Sequence, residues 1–279
     1  MPTLKTPGAT LLYTRSGTGP PVLLIQGVGV VGNGWAPQVE ELSDRFTLVS
    51  FDNRGIGGSN NDDGRLTIED MAADALAVVD ALGFERFHVV GHSMGGVIAQ
   101  ALALSAPGRI TSLAFLCTFA KGSDGSKVTL PMVATALRMR VGTRPMRRNA
   151  FLELIMPERY LQQTDRAALA ARLHPLFGHD LAEQPPIVMK QLSAMSKYDA
   201  RARLGALAGI PTLVVSAAED RIANPASGKA LAGAIPGSRY IEVAGAGHGL
   251  PIHRAAETNA LLAEHFTRAE QRAAAAGPR

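Results

Sequence analysis

Residues 91–95 read Gly-His-Ser-Met-Gly, a G-x-S-x-G pattern between a predicted strand, Phe87–Val90, and a predicted helix, Met94–Leu104. A serine at a tight strand-to-helix turn has a strained backbone and projects its hydroxyl above the sheet, while the flanking glycines leave space for it. The N-terminus of the following helix points at the same place and favours developing negative charge. The pattern therefore predicts an α/β fold in which Ser93 is a nucleophile.

A serine hydroxyl becomes a good nucleophile only when a base removes its proton, and a third group must orient that base. His248 lies in a glycine-rich loop after the last predicted strand, and Asp220 follows the strand before it. All three residues thus follow predicted parallel strands, and their order along the chain is that of a known catalytic triad. We predict Ser93 as nucleophile, His248 as base and Asp220 as orienting acid, with Glu219 as the rival acid.

The rest of the chain outside the middle segment alternates between predicted strands and predicted helices, which favours a mostly parallel sheet with helices on both faces. The clearest helix is Thr67–Leu82, where Thr67 is the predicted N-cap and Asp70 occupies the capping-box position. Ala9–Arg15 is the predicted early edge strand. The other predicted strands are Val22–Gln26, Thr47–Phe51, Phe87–Val90, Ile110–Cys117, Thr212–Ser216 and Tyr240–Val243.

A middle segment, residues 121–204, has no strand-like runs and holds six of the nine methionines. Its prolines divide it into short helices. We interpret it as a helical cap inserted into a core domain formed by residues 1–120 and 205–279. Because methionine adapts to irregular apolar surfaces, the cap is expected to line a substrate pocket. The candidates for substrate contact are Trp35, Met132, Met139, Met156 and Met195, and packing against the first helix is the open alternative for Trp35.

Composition indicates a globular protein, since 46% of the 279 residues are hydrophobic and 19% are charged. There is no run of eighteen apolar residues, and the first residues lack the apolar core of a signal peptide. The single cysteine, Cys117, excludes an intramolecular disulfide. These features predict a cytoplasmic protein that does not bind membranes.

The net charge of +4 is modest, and part of it lies in five arginines of the predicted cap: Arg138, Arg140, Arg144, Arg147 and Arg148. They form either a solvated basic face or a surface that attracts an acidic substrate. No nucleic-acid-binding module is recognisable. The sequence also lacks the clusters of His, Asp or Cys that a metal needs, so we expect no metal and no cofactor. The expected partner is a small-molecule ester or lactone, and the oligomeric state is left open.

Residues 27–32, Gly-Val-Gly-Val-Val-Gly, allow a different functional interpretation. They follow a predicted strand, and Asp52 comes twenty residues after the last of these glycines. This is the form of a dinucleotide-binding fingerprint of an oxidoreductase. However, Asn33, Gly34 and Pro37 resist helix formation, so no helix N-terminus would face the pyrophosphate. A further alternative is a non-catalytic small-molecule receptor on the same fold, because a fold does not determine a function.

Four segments together resemble the esterase, lactonase and C–C-bond hydrolase branch of the α/β-hydrolase superfamily, over about residues 11–266. They are residues 24–29, Leu-Ile-Gln-Gly-Val-Gly; 51–59, Phe-Asp-Asn-Arg-Gly-Ile-Gly-Gly-Ser; 91–96, Gly-His-Ser-Met-Gly-Gly; and 245–248, Gly-Ala-Gly-His. The resemblance implies a doubly wound sheet of about eight strands with an inserted cap. It also implies that the backbone N–H groups of Val28 and Met94 form the oxyanion hole. The sequence departs from the family at Gln26, where a histidine is usual.

The predicted reaction is hydrolysis of a small or medium carboxylic ester, or of a lactone, through an acyl-enzyme on Ser93. Relatives with these motifs also split C–C bonds in diketones or act on peracids. A C–C-bond hydrolase and a cofactor-free perhydrolase therefore stay open as alternatives on the same triad.

Overall fold

Eight strands form one sheet in the computed structural model, which describes residues 1–62, 64, 66–125 and 130–276, and side chains within these ranges except at 130–132 and 276. The strands are β1 (Thr3–Thr6), β2 (Ala9–Ser16), β3 (Pro21–Ile25), β4 (Thr47–Phe51), β5 (Phe87–His92), β6 (Ile110–Leu116), β7 (Thr212–Ala217) and β8 (Arg239–Val243). Their order across the sheet is β1-β2-β4-β3-β5-β6-β7-β8. β1 and β2 pair antiparallel, as do β2 and β4, and all other neighbours pair parallel. The predicted mostly parallel sheet of about eight strands is confirmed.

One detail of the predicted sheet is wrong. The strand predicted at Ala9–Arg15 exists as β2, but it is not the edge, because β1 pairs along its free side. β1 has only four residues, and most of them are at least partly exposed, so it carries no clear apolar period.

The structure describes helices between the strands and after the last one. They are α1 (Ala36–Leu42), α2 (Ile68–Ala81), α3 (Met94–Ser105), α4 (Leu130–Arg138), α5 (Arg144–Ile155), α6 (Glu158–Gln162), α7 (Arg166–Phe177), α8 (Ile187–Lys197), α9 (Pro225–Ala234), α10 (Leu250–His253) and α11 (Ala255–Ala276). α2 contacts α3, α1 contacts α11, and both α3 and α11 contact β6. Every residue of β6 is buried, as expected for a strand covered on both faces. Within the described ranges, each helix is too short or too polar to cross a lipid bilayer.

The start of α2 follows its sequence signature. The Thr67 hydroxyl accepts a hydrogen bond from the Asp70 backbone N–H at 3.0 Å, which satisfies one of the free donors of the first turn. The predicted N-cap is therefore confirmed, and the helix itself runs from Ile68 to Ala81.

In the described part of the segment between β6 and β7, which was predicted to be helical, the structure has the five helices α4 to α8. A second apolar cluster takes most of its members from α5, α6 and α7, such as the buried Leu152, Leu161 and Leu173, and it also includes Val30 from the loop after β3. Met195 on α8 instead belongs to the main core cluster, together with residues of the sheet. The division into a core domain and a separate cap at residues 121–204 stays a prediction.

The parallel strands position the site because their carboxyl ends lie at the same edge of the sheet. β3 ends before the loop that begins at Gln26, β5 ends before Ser93, and β6 ends before Cys117. Asp220 follows β7 and His248 follows β8. Residues that are distant in sequence are thus delivered to one place above the sheet.

Candidate active site

Ser93 lies in the tight turn between β5 and α3, with φ 54° and ψ −121°. Few residues other than glycine adopt such a conformation without strain. The two glycines of the pattern are required by close backbone contacts: a Cβ on Gly91 would overlap the Gly95 carbonyl, and one on Gly95 would overlap the Ile25 carbonyl. The Thr118 hydroxyl donates to the Ser93 carbonyl at 2.7 Å and fixes the turn from the neighbouring strand end.

His248 and Asp220 form a buried pair, with 2.8 Å between His248 Nδ1 and Asp220 Oδ2. The other carboxylate oxygen of Asp220 accepts the backbone N–H groups of Ile222 and Ala223 at 2.7 and 2.8 Å. Since an ionised carboxylate only accepts, Nδ1 carries the proton and Nε2 of the neutral ring is left as an acceptor. The side chain of Glu219, the rival acid, is exposed.

Ser93 and His248 line the same cavity. In the described part of the chain, no hydrogen bond of ordinary geometry joins the Ser93 hydroxyl to the imidazole. Such catalytic hydrogen bonds are often long before substrate binds and shorten in the complex. The arrangement thus brings together the three residues predicted as a triad, with Asp220 already bonded to His248.

Two backbone donors near Ser93 come from different elements, Val28 from the loop after β3 and Met94 from the start of α3. Among the residues that the structure describes, the N–H groups of Val28 and Met94 have no acceptor. Three other N–H groups of the loop are used: Gly27 donates to Gln26 Oε1 at 3.3 Å, Gly29 to Gln191 Oε1 at 2.9 Å and Val30 to the Gly27 carbonyl at 3.5 Å. Val28 and Met94, which the resemblance implies as the oxyanion hole, thus keep N–H groups that could donate to an oxyanion.

Gln26, which stands where a histidine is usual, is buried and lines the cavity. The backbone carbonyl of Gln26 accepts a hydrogen bond from Asn53 Nδ2 at 3.0 Å, which connects the loop to the turn after β4. The middle segment holds the other end of the loop at Gly29, whose φ is +71°. Gln191 on α8 accepts its N–H, and His179 Nε2 donates to its carbonyl at 3.0 Å. The loop is thus held from both sides.

His92, the variable residue of the elbow, has a role that its sequence context did not indicate. Its Nε2 donates to the backbone carbonyl of His248 at 2.9 Å, and the two ring centroids are 4.9 Å apart. Burial lowers the pKa of His92 to about 3, and the neighbouring His248 ring acts in the same direction. His92 is therefore neutral and bonds to the loop that carries His248.

Cys117 is another contact that sequence reasoning missed. It follows β6 with φ 48°, is fully buried, and has a thiol pKa that burial and the adjacent Asp220 raise well above its usual value. His92, Cys117 and His248 each have one potential metal-ligand atom within 4.8 Å of those of the other two. The expectation that the chain lacks a cluster of metal-ligating residue types is therefore wrong. The ring nitrogens His92 Nε2 and His248 Nδ1 already make hydrogen bonds, so the cluster forms a network around His248.

The cavity has a volume of about 190 Å³, and its wall is mostly apolar. Two predicted substrate-contact residues, Met139 and Met195, line it. Trp35 and Met156 are not among the residues that line it, and their contact with substrate stays a prediction. Trp35 is fully buried beside the His92 ring at a centroid distance of 6.5 Å, and Met156 is buried against the Gly249 backbone. The side chain of Met132 lies outside the described part of the chain.

The dinucleotide alternative is not supported by the loop geometry. The Asp52 carboxylate, proposed there to bind a ribose, accepts the backbone N–H groups of Gly32 and Gly58 at 2.6 and 2.9 Å. A 3₁₀ turn occupies Gly32–Trp35 before α1, so the third glycine is not inside an α-helix.

Comparison with known proteins gives consistent matches over nearly the whole chain. Residues 20–255 match the family described as alpha/beta hydrolase fold. A protein named carbamate hydrolase RutD, from Azorhizobium caulinodans, is 32% identical over 235 residues, which cover 84% of this chain and 86% of that protein. The enol-lactonase from Burkholderia xenovorans LB400 has a TM-score of 0.79 and 29% identity, covering 95% of this chain and 100% of its own. A thermophilic esterase from Thermogutta terrifontis has a TM-score of 0.78 and 27% identity, covering 96% of this chain and 97% of its own.

Proposed function

The chain belongs to the α/β-hydrolase family, and on that basis we propose that it is a serine hydrolase of small or medium carboxylic esters or lactones. Two structural neighbours, an enol-lactonase and an esterase, support these substrate types by their names. The observation that carries the proposal is the cavity shared by Ser93 and His248, in which the bond from Asp220 leaves His248 Nε2 as an acceptor.

In the proposed reaction, His248 Nε2 takes the Ser93 proton while Oγ attacks the substrate carbonyl carbon. Asp220 stabilises the imidazolium that forms and keeps the ring oriented. The N–H groups of Val28 and Met94 donate to the oxyanion of the tetrahedral intermediate, and one such donor contributes ~3 kcal/mol in other hydrolases.

His248 next gives its proton to the leaving alcohol, and Ser93 remains as an acyl ester. A water molecule then attacks that ester while His248 again acts as the base. Collapse of the second tetrahedral intermediate releases the acid and restores the Ser93 hydroxyl. In a lactone, the leaving alcohol stays attached to the acyl chain, so a single hydroxy acid is released.

The test is turnover of a panel of p-nitrophenyl esters, lactones, a carbamate and a β-diketone by the wild type and by Ser93→Ala. We expect Ser93→Ala to fold normally and to lose at least ~10³-fold in ester or lactone hydrolysis, because the nucleophile is absent. Ser196→Ala, on α8 outside the cavity wall, is the matched control and should keep full activity. A non-catalytic receptor would bind panel members without turning them over. Retention of most activity by Ser93→Ala would remove Ser93 from the mechanism.

A further inference from the structure

The wall of the cavity around Ser93 and His248 carries no Lys, Arg, Asp or Glu, over the ranges 1–62, 64, 66–125 and 133–275 whose side chains are described. Besides those two residues, its polar side chains are those of Gln26, His92 and Gln184. His92 is neutral, since burial lowers its pKa to about 3. The remaining side chains of the wall are apolar, among them Met139, Phe151, Leu154 and Phe177.

The arginines of the middle segment do not compensate for this lack of charge. None of the five that could attract an acidic substrate lines the cavity. Arg148 and Arg144 pair with Asp180, with Arg148 Nε 2.7 Å and Arg144 Nη2 3.1 Å from its carboxylate oxygens. Arg138 pairs with Glu153 at 2.8 Å. Arg148 also holds the pKa of Asp180 well below its usual range, so this carboxylate stays ionised.

A substrate carboxylate inside this cavity would lose its water without gaining a cation from the wall residues that the structure describes. Burial of an unpaired charge is strongly unfavourable, whereas burial of an alkyl chain against an apolar wall is favourable. The wall therefore discriminates between substrates of the same length by the charge at the end of the chain.

We propose that this enzyme acts on esters or lactones whose cavity-bound chain is uncharged and apolar, and that it rejects half-esters of dicarboxylic acids. This inference rests on the proposed serine-hydrolase function and narrows its substrate class. It also assigns Arg138, Arg144 and Arg148 of the middle segment to ion pairs rather than to substrate capture.

Three p-nitrophenyl esters of similar chain length test the inference: the hexanoate, the adipate half-ester with a free carboxylate, and the methyl ester of that half-ester. We expect the wild-type kcat/KM for the half-ester to be at least 100-fold below that for the hexanoate, which corresponds to about 2.7 kcal/mol at 1.36 kcal/mol per tenfold change. The methyl ester, which masks the charge at nearly the same size, should recover most of this loss.

A charge introduced into the wall supplies the second arm. Met139 lines the cavity and is partly exposed, so a polar replacement there is compatible with folding. Met139→Lys should raise the ratio of half-ester to hexanoate kcat/KM at least tenfold, and the neutral control Met139→Gln should not. Met189→Lys adds the same charge at an exposed position outside the wall, where it should leave the ratio unchanged.

The possible failures are distinguishable. If the wild type hydrolyses half-ester and hexanoate within threefold of each other and Ser93→Ala loses both activities, the serine-hydrolase proposal stands and this inference is wrong. If the methyl ester is as slow as the half-ester, chain length rather than charge decides, and the inference is also wrong. If the wild type cleaves neither these esters nor the lactones of the panel, or if Ser93→Ala cleaves all three esters, the proposed function itself fails.

Discussion

Replacing Asp220 by asparagine tests how the acid controls the proton on His248. One oxygen of Asp220 accepts the N–H groups of Ile222 and Ala223, and the other faces His248 Nδ1 at 2.8 Å. Asparagine has a single side-chain oxygen, so its amide must choose between two orientations. Turning its NH₂ group toward the two backbone donors would leave both unsatisfied, at about 1–3 kcal/mol each.

The favoured orientation therefore keeps the oxygen on the backbone N–H groups and presents NH₂ to His248 Nδ1. The opposite orientation would lose the hydrogen bonds from both backbone N–H groups, so the favoured one is preferred by roughly 2–6 kcal/mol. Nδ1 must then accept, and the proton of the neutral ring moves to Nε2, where it blocks removal of the Ser93 proton. A wrong tautomer of this kind lowers kcat by about 10⁴ in a related triad, which is ~5.5 kcal/mol.

The assay is initial-rate hydrolysis of a p-nitrophenyl ester, with thermal unfolding followed by circular dichroism. We expect Asp220→Asn to lose about 10⁴ in kcat with little change in KM, because Asp220 lies behind His248 and outside the cavity wall. Glu219→Gln is the matched control, since this neighbouring carboxylate is exposed, and it should stay within about twofold of the wild type. A folded Asp220→Asn that loses less than tenfold would refute the argument about the tautomer.

Other properties of the site and core can be checked in the same way. Ser93→Gly relieves a φ of 54°, so in urea titrations its free energy of unfolding should exceed that of Ser93→Ala by about 1 kcal/mol, and equal values would contradict backbone strain. Gln191→Met removes the acceptor of the Gly29 N–H and loosens the loop that carries the Val28 N–H. Steady-state kinetics should therefore show kcat falling about tenfold or more with a smaller change in KM. An unchanged kcat would show that Gln191 does not support this loop. Burial lowers the pKa of His88 to about 3, below the value of 6.5 in the unfolded chain. Because the unfolded state binds more protons between these values, the free energy of unfolding falls as the pH drops from 6.5 toward 3. His88→Gln should make this decline shallower in denaturant titrations at several pH values, and an equally steep decline would exclude His88 as a source.

The parts of the fold that were predictable are those with local causes. The elbow at Ser93 is predictable because its glycines are required by backbone contacts within the turn and with the adjacent strand. The central strands are predictable because burial on both faces requires continuous apolar runs. β1 is different, since four residues with mixed exposure form a strand only by pairing with β2, and such pairing leaves no periodic signal.

The features of the site also differ in how far the sequence predicts them. The proximity of Ser93, Asp220 and His248 follows from parallel strands that end at one edge of the sheet. The bond from His92 to the His248 carbonyl, and the position of Cys117 beside Asp220, depend on how loops from different strands meet. Periodicity and composition do not encode such contacts.

The lining of the cavity was also only partly predictable. Met139 and Met156 are both methionines of the middle segment, but one faces the cavity and the other packs beneath the His248 loop. Which side of a short helix faces the substrate is set by its tertiary packing. Composition alone therefore identified the segment and not the individual contacts.

Covalent labelling tests the central claim, that His248 activates Ser93 as the nucleophile. The wild type, Ser93→Ala and His248→Ala would each be treated with a fluorophosphonate and analysed by intact-protein and peptide mass spectrometry. We expect one adduct on Ser93 in the wild type with parallel loss of hydrolysis, none in Ser93→Ala, and labelling slowed by several orders of magnitude in His248→Ala. An adduct on a different residue that abolishes hydrolysis, or undiminished labelling of Ser93 without His248, would contradict the proposed mechanism.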